Sequence, residues 1–523
     1  MTGFLDVLLR GLILGGQAVA LGGVAFALVV LVPAMRVRPD LGPLRERTFL
    51  LIALGAAAIA LAQGLALIVQ LTALAGEGAW PITDVSETVY FRVGIGRIVM
   101  SVGVVAGVFL RRLEPGRTVW TVAIVACALA LAVLSAGTSH AAARVEGRFG
   151  LYVLDVLHQV AASVWIGGLL HLLMTAFWRR SPTWPRLLLP RFSALALTAV
   201  GVLVVSGAAL TFTYVDGVAA MTGTAYGMMV VTKIVLLGGL LILGALNFFE
   251  VRRLNGPDHV LAARLRRFVE VEFGVGVVVL LVAASLTSIP PAVDVVADRA
   301  TLGEVVQVFT PKLPRLVSPA HGELPVDDRN APRTDADRAW SEYNHHTAGF
   351  FVLTMGVLAI VSRTPWGAWA RHWPLIFLGL AAFLIVRNDP GAWPLGPQGF
   401  WEGMTYPDVV QHRIAVCLVV AFALFEWAVR TGRLRSPRAA LVFPLLCVAG
   451  GTLLLTHSHS SLNLKAEYLV EITHTPLGVL ALFVGWARWL ELRLESPENR
   501  LPGRLWPVAF TMVGVLLILY REV

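Results

Sequence analysis

Apolar runs of about 20 residues recur along this chain from one end to the other. A run of that length can cross the hydrocarbon core of a bilayer as a helix. Only 14% of the 523 residues are charged, whereas soluble domains carry about a quarter. Backbone polar groups inside a bilayer must bond within helices or closed barrels. The sequence therefore predicts an all-α polytopic membrane protein in contact with the lipid bilayer.

The apolar runs predict about fourteen transmembrane helices. Their limits are 5–33, 48–76, 91–110, 118–139, 151–178, 192–215, 226–250, 268–290, 344–362, 373–387, 409–430, 439–457, 468–490 and 505–520. A polar stretch rich in Asp, Arg and Pro separates the eighth helix from the ninth. We therefore predict an eight-helix domain at 1–290, an extracytoplasmic polar linker at 291–343 and a six-helix domain at 344–523.

The distribution of arginine predicts the orientation. Loops after odd-numbered helices hold most of the arginines, among them Arg36, Arg111 and Arg252, while the opposite loops hold acids such as Asp84 and Glu87. Basic residues mark cytoplasmic loops, so both termini are predicted to be periplasmic in a bacterial inner membrane. The net charge of +9 is then a property of cytoplasmic loops, and we expect no nucleic-acid partner.

Nine of the twelve histidines fall on the predicted outer side. They are His140, His158, His321, His345, His346, His412, His457, His459 and His474. Imidazole commonly binds copper, zinc and iron, and ionisable groups inside a membrane are costly and usually functional. One histidine at a helix end is more often an ordinary interface residue. Nine on one side indicate a common role in metal binding.

A motif of histidine followed by an acid and a second histidine occurs in both halves of the chain. The fifth helix begins with Asp155-x-x-His158, and the thirteenth begins with Glu471-x-x-His474. The preceding helix ends in histidine each time, at His140 in the first half and at His457 and His459 in the second.

The spacing around this motif suggests a duplication. Arg97 precedes His158 by 61 residues, and Arg413 precedes His474 by 61 residues. Gly-Ala-Trp-Pro occurs in the preceding outer loop of each half, at 78–81 and 391–394. We therefore predict a parallel internal repeat of a helical bundle, related by an axis along the membrane normal.

An acid and a histidine three residues apart share one helix face. The pair can bind a metal together, or the carboxylate can orient the imidazole. Alternatively, these polar groups only hold neighbouring helices together. The predicted metal ligands are His140, Asp155, His158, His345, His346, His412, His457, His459, Glu471 and His474. Near the inner end of the eighth helix, Glu270 and Glu272 are predicted to form an inner exit or a salt bridge.

Residues 90–292 resemble the bacterial copper-resistance protein D (CopD/PcoD) family. The resemblance rests on Asp155-x-x-His158, Trp165-Ile166-Gly167-Gly168, Arg191-Phe192-Ser193, Tyr226-Gly227, Lys233, Asn247, Glu270-x-Glu272, Gly274 and Pro290-Pro291. Residues 340–523 look like the additional six-helix membrane domain fused to some members. The resemblance implies copper handling at the inner membrane, commonly as uptake toward the cytoplasm. It also implies a periplasmic copper-binding partner of the CopC type.

The leading hypothesis is a copper-binding inner-membrane protein that moves copper from the periplasm across or into the membrane. A transporter is favoured over an enzyme, and no catalytic residue is predicted. The alternative is a haem b electron-transfer protein, because two histidines on adjacent helices can be axial ligands. The haem pairs are then His140 with His158, or His457 with His474. A copper-insertion factor for respiratory oxidase assembly is a third possibility.

Overall fold

The computed structural model describes residues 2–75, 82–178, 184–252, 259–324, 334–456 and 464–522. Throughout these ranges the chain is built from helices and connecting turns, with no β-strand. His457 and His459 lie outside the described residues, as does the whole of the first Gly-Ala-Trp-Pro segment at 78–81. The all-α prediction is confirmed for the part of the chain that the structure describes.

Fourteen helices among the described residues are long and apolar enough to span a membrane, and this confirms the predicted number. We name them α1 to α14 in chain order. They are Leu5–Val37, Pro39–Leu74, Val89–Leu113, Thr118–Ala136, Arg148–Thr175, Leu187–Tyr214, Ala225–Arg252, Ala263–Leu286, Asp335–Val361, Ala368–Arg387, Val409–Arg430, Ala439–Thr456, Leu464–Arg493 and Arg500–Ile518. The protein is therefore a multi-pass membrane protein.

The helices form two compact units. The first consists mainly of Met1–Arg299 and holds α1 to α8, and the second consists mainly of Ala300–Leu455 and Ser461–Val523. The predicted linker contains regular structure of its own, since Leu302–Phe309 is an α-helix. The domain limits at 290 and 344 remain predictions.

Helix α9 begins at Asp335, nine residues before the predicted start at 344. The cause is a capping box. The Thr334 hydroxyl accepts the Asp337 N–H at 3.2 Å, and the Asp337 carboxylate accepts the Thr334 N–H at 2.8 Å. These bonds satisfy two backbone donors that a helix start otherwise leaves open. Hydropathy alone did not predict this polar first turn, because it lies outside the apolar run.

The first unit has two apolar clusters. One joins α1 to α4 around Ile13, Ile52 and Ile124. The other joins the end of α1 to α5–α8 around Phe26 and Leu188. Two π-helical segments interrupt the helices that meet between these clusters. They are Phe26–Leu31 in α1 and Ser163–Gly167 in α5.

Helices α1 and α5 approach each other with backbone against backbone. A β-carbon at Gly167 would overlap the carbonyl oxygen of Ala18, so this crossing admits only glycine. Small residues at such crossings are typical of membrane helices, whose association depends on close packing. This contact sets the position of the second half of α5.

The second unit is centred on aromatic side chains. Trp373, Phe443 and Trp506 are buried together in its core. Helices α9 and α14 pack closely, because Gly514 lies directly against the backbone of Leu353. Helix α14 thereby brings the residues after Ile518 to the first turns of α9.

Large aliphatic side chains cover the outside of both units. Leu61 and Val205 are 70% exposed, and Leu418 is 65% exposed. Exposed aliphatic surface of this extent is unfavourable in water, and it is what helices in contact with lipid present. The exposed surface therefore agrees with the predicted membrane location.

Candidate functional site

His140 begins a short helix, His140–Ala143, that connects α4 to α5. Its ring meets Tyr214 edge-on at 6.1 Å and Tyr226 at 5.8 Å between ring centroids. Its Nε2 atom lies 3.5 Å from the carbonyl oxygen of Leu286. Burial lowers the pKa of His140 from the ordinary value of 6.5, so the neutral ring, which is the metal-binding form, is favoured.

Asp155 and His158 project from the same face of α5. The Asp155 carboxylate accepts Gln159 Nε2–H at 3.0 Å, and the Ser139 hydroxyl also bonds to it. Lys233 and His140 are within electrostatic range of this carboxylate. Asp155 therefore connects the start of α5 with the segment that carries His140.

The orientation of His158 is determined by a serine on α6. The Ser206 hydroxyl donates to the Val202 carbonyl at 2.6 Å, and His158 Nδ1 lies 3.2 Å from the same hydroxyl oxygen. Because that hydroxyl proton is already engaged, Nδ1–H is the donor and Nε2 carries the lone pair. This tautomer is the one that binds a metal through Nε2.

In the first unit His140, Asp155 and His158 lie near one another, but their side chains do not converge on a single position. Among the described residues, no three His, Cys, Asp or Glu side chains are arranged to hold a metal ion. The half-buried Lys233 is within electrostatic range of both Asp155 and His158. The group is therefore a set of neighbouring donors beside a lysine.

The second unit places His345 and His474 ring to ring. Their centroids are 5.7 Å apart with the planes at 72°. Tyr520 stacks on His345 at 3.8 Å and meets His474 edge-on at 5.6 Å. The pair therefore joins α9 and α13 through a tyrosine that follows α14.

The two rings have equivalent hydrogen bonds to their own helices. His345 Nδ1 lies 2.8 Å from the Ser341 carbonyl, and His474 Nδ1 lies 2.9 Å from the Val470 carbonyl. A carbonyl can only accept, so Nδ1 carries the proton in each neutral ring and the lone pair is on Nε2. Such a bond also makes Nε2 more basic, as in many metal sites.

His346 has a different environment from its neighbour in sequence. Its Nδ1 accepts the Arg315 N–H at 2.7 Å, and its Nε2 lies 2.7 Å from the Tyr520 carbonyl. The side chain is buried, with 4% exposed. Both nitrogens are engaged, so His346 could bind a metal only after one bond breaks.

The remaining predicted ligands of the second unit are spread out. His412 is exposed, and its Nδ1 lies 2.7 Å from Asp389. Glu471 is half-buried on α13, one turn before His474. The side chains at 457 and 459 lie outside the described residues. In the part of the second unit that the structure describes, His345 with His474 is the predicted pair whose rings are in contact.

The sequence did not single out the partners of these histidines. Ser206 and Tyr214 lie on α6 and Tyr520 follows α14, and no local spacing relates them to the histidines. The Tyr214 hydroxyl is buried without a hydrogen-bond partner. A buried phenol without a partner beside His140 is a polar feature that hydropathy cannot detect.

Two acids predicted to act together at the inner end of α8 have different environments. Glu270 forms ion pairs with Arg267 at 2.5 Å and Arg266 at 3.4 Å. Glu272 instead accepts Trp165 Nε1–H at 3.0 Å and Asn247 Nδ2–H at 2.8 Å. The predicted salt bridge is therefore present at Glu270 and replaced at Glu272 by neutral donors.

These features define a polytopic helical membrane protein with histidine groups in each of its two units. Residues 186–286 match the family model for copper resistance protein D. They run from the start of α6 to the end of α8, within the region where the sequence predicted this resemblance. Helices α6 to α8 are therefore similar to copper resistance protein D.

The chain is also similar to "Copper transport protein CutJ" of Bacillus subtilis (strain 168). The two are 34% identical over 165 residues, which are 31% of this chain and 29% of the relative. The chain thus spans less than a third of the length of that relative. No solved structure matches the chain significantly.

Proposed function

We propose that this protein binds copper at the periplasmic side of a bacterial inner membrane and moves it across or into that membrane. One observation carries the proposal. The partners of His140 and His158 include Tyr214, Tyr226 and Ser206. These three residues lie in the segment that matches copper resistance protein D.

In this proposal His140, Asp155 and His158 capture copper in the first unit. Neutral imidazole is a good copper ligand, and the Ser206 bond leaves the His158 lone pair on Nε2. Asp155 supplies a negative charge that attracts a cation. A charged Lys233 would oppose a bound ion, so we propose that its ammonium group moves farther from Asp155 when copper binds.

His345 and His474 form the proposed copper pair of the second unit. Metal–imidazole bonds are about 2 Å long, and two rings whose centroids are 5.7 Å apart can approach one ion after small rotations. His412, Glu471, His457 and His459 are proposed to supply further donors. His346 is proposed to hold the structure of this region. A periplasmic protein of the CopC type is the proposed copper donor.

Metal analysis of the purified full chain tests this proposal. We expect bound copper in the wild type, less copper in His158→Ala and in His474→Ala, and least in the double variant. His372→Ala is the matched control, because His372 is exposed and its Nδ1 accepts from Trp427. This control is expected to bind as much copper as the wild type.

A cellular copper-accumulation assay tests transport with the same variants. Accumulation is expected to change in the double variant and to stay at the wild-type level in the control. Unchanged accumulation in the double variant would contradict the proposal. A visible spectrum with a haem Soret band and no bound copper would instead favour the haem b electron-transfer alternative.

A further inference from the structure

Glu272 lies inside α8 and is 4% exposed. Its carboxylate accepts from Trp165 Nε1 in the π-helical segment of α5 and from Asn247 Nδ2 on α7. Three helices therefore converge on a single buried carboxyl group inside the helix bundle of the first unit. Both donors are neutral.

Glu272 differs from the other acids nearby. Glu250 lies 3.5 Å from Arg264, and Glu270 pairs with Arg266 and Arg267. Among the described residues, no Lys, Arg or His lies within ion-pair distance of Glu272. An ionised carboxylate buried without a cation is strongly disfavoured.

The helices packed against α8 are α1, α5 and α7, and their charges are engaged elsewhere. On α1, Arg10 pairs with Asp6. On α5, His171 Nε2 lies 3.0 Å from the Val19 carbonyl. The other titratable groups of these three helices are Arg36, Arg148, Tyr152, Asp155, His158, Tyr226, Lys233, Glu250 and Arg252. None of them forms an ion pair with Glu272.

Asn247 can form a hydrogen bond with this carboxyl group in either of its protonation states. Its Nδ2–H donates to an ionised Glu272, and its Oδ1 is buried with no partner. A half-turn of the amide would place Oδ1 where Nδ2 lies, 2.8 Å from the carboxyl oxygen. There it would accept the O–H of a protonated Glu272.

We propose that Glu272 is a proton-binding site inside the membrane and that it releases its proton when a cation reaches this level of the first unit. This proposal rests on the proposed copper function. The exchange is balanced: the carboxyl O–H bond breaks, the proton leaves to water, and the carboxylate charge is compensated by the arriving cation. Helix α5 links the binding of the cation to the release of the proton. It carries both His158 and Trp165, and Trp165 lies in its π-helical segment. Such segments are frequent at functional sites.

Infrared spectroscopy of the full chain in lipid tests the protonated state without any copper. The wild type minus Glu272→Gln difference spectrum is expected to contain a carboxylic-acid C=O band at neutral pH. Glu270→Gln is the matched control, because Glu270 is ion-paired and lies two residues away on the same helix. The absorption spectrum of this variant should still contain the carboxylic-acid band. A difference spectrum with carboxylate bands and no carboxylic-acid band would overturn the proposal.

Proton release tests the exchange. Copper is added to proteoliposomes that contain the protein and a pH-sensitive dye. The wild type and Glu270→Gln are expected to release protons as copper enters. Glu272→Gln should bind copper at the histidines but lose the release. Equal release from Glu272→Gln overturns the exchange. Failure of the wild type to bind copper would overturn the proposed function, while the infrared result would still decide whether Glu272 is protonated.

Discussion

His345 and His346 are adjacent in sequence but have different surroundings. Residues one apart on a helix point in directions about 100° apart, so one ring meets His474 and Tyr520 while the other meets Arg315 and the Tyr520 carbonyl. The sequence assigned the same role to both. Only the neighbours supplied by α13 and by the residues after α14 distinguish a candidate ligand from a packing residue.

The structural role of His346 predicts a loss of stability. His346→Ala removes the hydrogen bonds from the Arg315 N–H and to the Tyr520 carbonyl, and the loss of one such bond typically costs about 0.5–1.5 kcal/mol. We expect a clearly lower melting temperature in detergent. His412→Ala is the comparison variant: it removes an exposed side chain and its bond to Asp389, and the melting temperature should fall less. Equal melting temperatures for both variants would contradict this role.

His140 predicts a pH dependence of stability. Burial lowers its pKa below the ordinary value of 6.5, so the unfolded chain binds this proton more readily than the folded chain. Above pH 6.5 the residue has no effect on the pH dependence of stability. As the pH falls from 6.5 through the lowered pKa, stability is lost.

His140→Gln cannot titrate and should lose less stability on acidification. Unfolding measured from about pH 7 to about pH 5, a range in which histidine charge changes, should show the wild type losing more stability than the variant as the pH falls. A constant offset between the two curves would show that His140 does not titrate in this range.

At the scale of elements, helix limits and helix contacts have different origins. Hydropathy predicts the membrane spans well because the bilayer requires apolar surface of a set length. It does not predict the capping box at Thr334, the π-helical segments or the crossing of α1 with α5, since these depend on single polar or small residues. The predicted repeat remains a prediction, although Arg97 and Arg413 are both buried and both bond to backbone carbonyls near helix ends.

The crossing of α1 with α5 predicts the effect of a single methyl group. Gly167→Ala would place a β-carbon against the Ala18 carbonyl, and overpacking of this kind costs about 1–3 kcal/mol or more. We expect a lower yield of folded protein and a lower melting temperature. Gly150→Ala on the same helix is the control, because a β-carbon there would meet no neighbouring group within 4 Å. Equal behaviour of both variants would show that the helices separate easily at this point.

At the scale of the whole molecule, each unit has its own proposed copper group. Binding to the folded state alone stabilises a protein, by about 2.7 kcal/mol when the free ligand is at about a hundred times its Kd. We expect copper to raise the melting temperature and a copper chelator to reverse the change. The copper-induced rise in melting temperature should be smaller in His158→Ala and in His474→Ala than in the wild type. It should be smallest in the double variant. An undiminished increase in the double variant would mean that copper binds elsewhere.

The sequence by itself determined the class of this protein, the number of membrane-spanning helices found among the described residues and the likeness of α6–α8 to copper resistance protein D. These properties are local, because each depends on the composition or order of residues within one stretch of chain. Tertiary structure decided which polar side chains meet. It joined His345 to His474 and Tyr520, satisfied both nitrogens of His346, and gave neutral partners to Glu272 but arginines to Glu270. Such contacts mostly join residues from different helices, so helix packing determines them and sequence spacing does not.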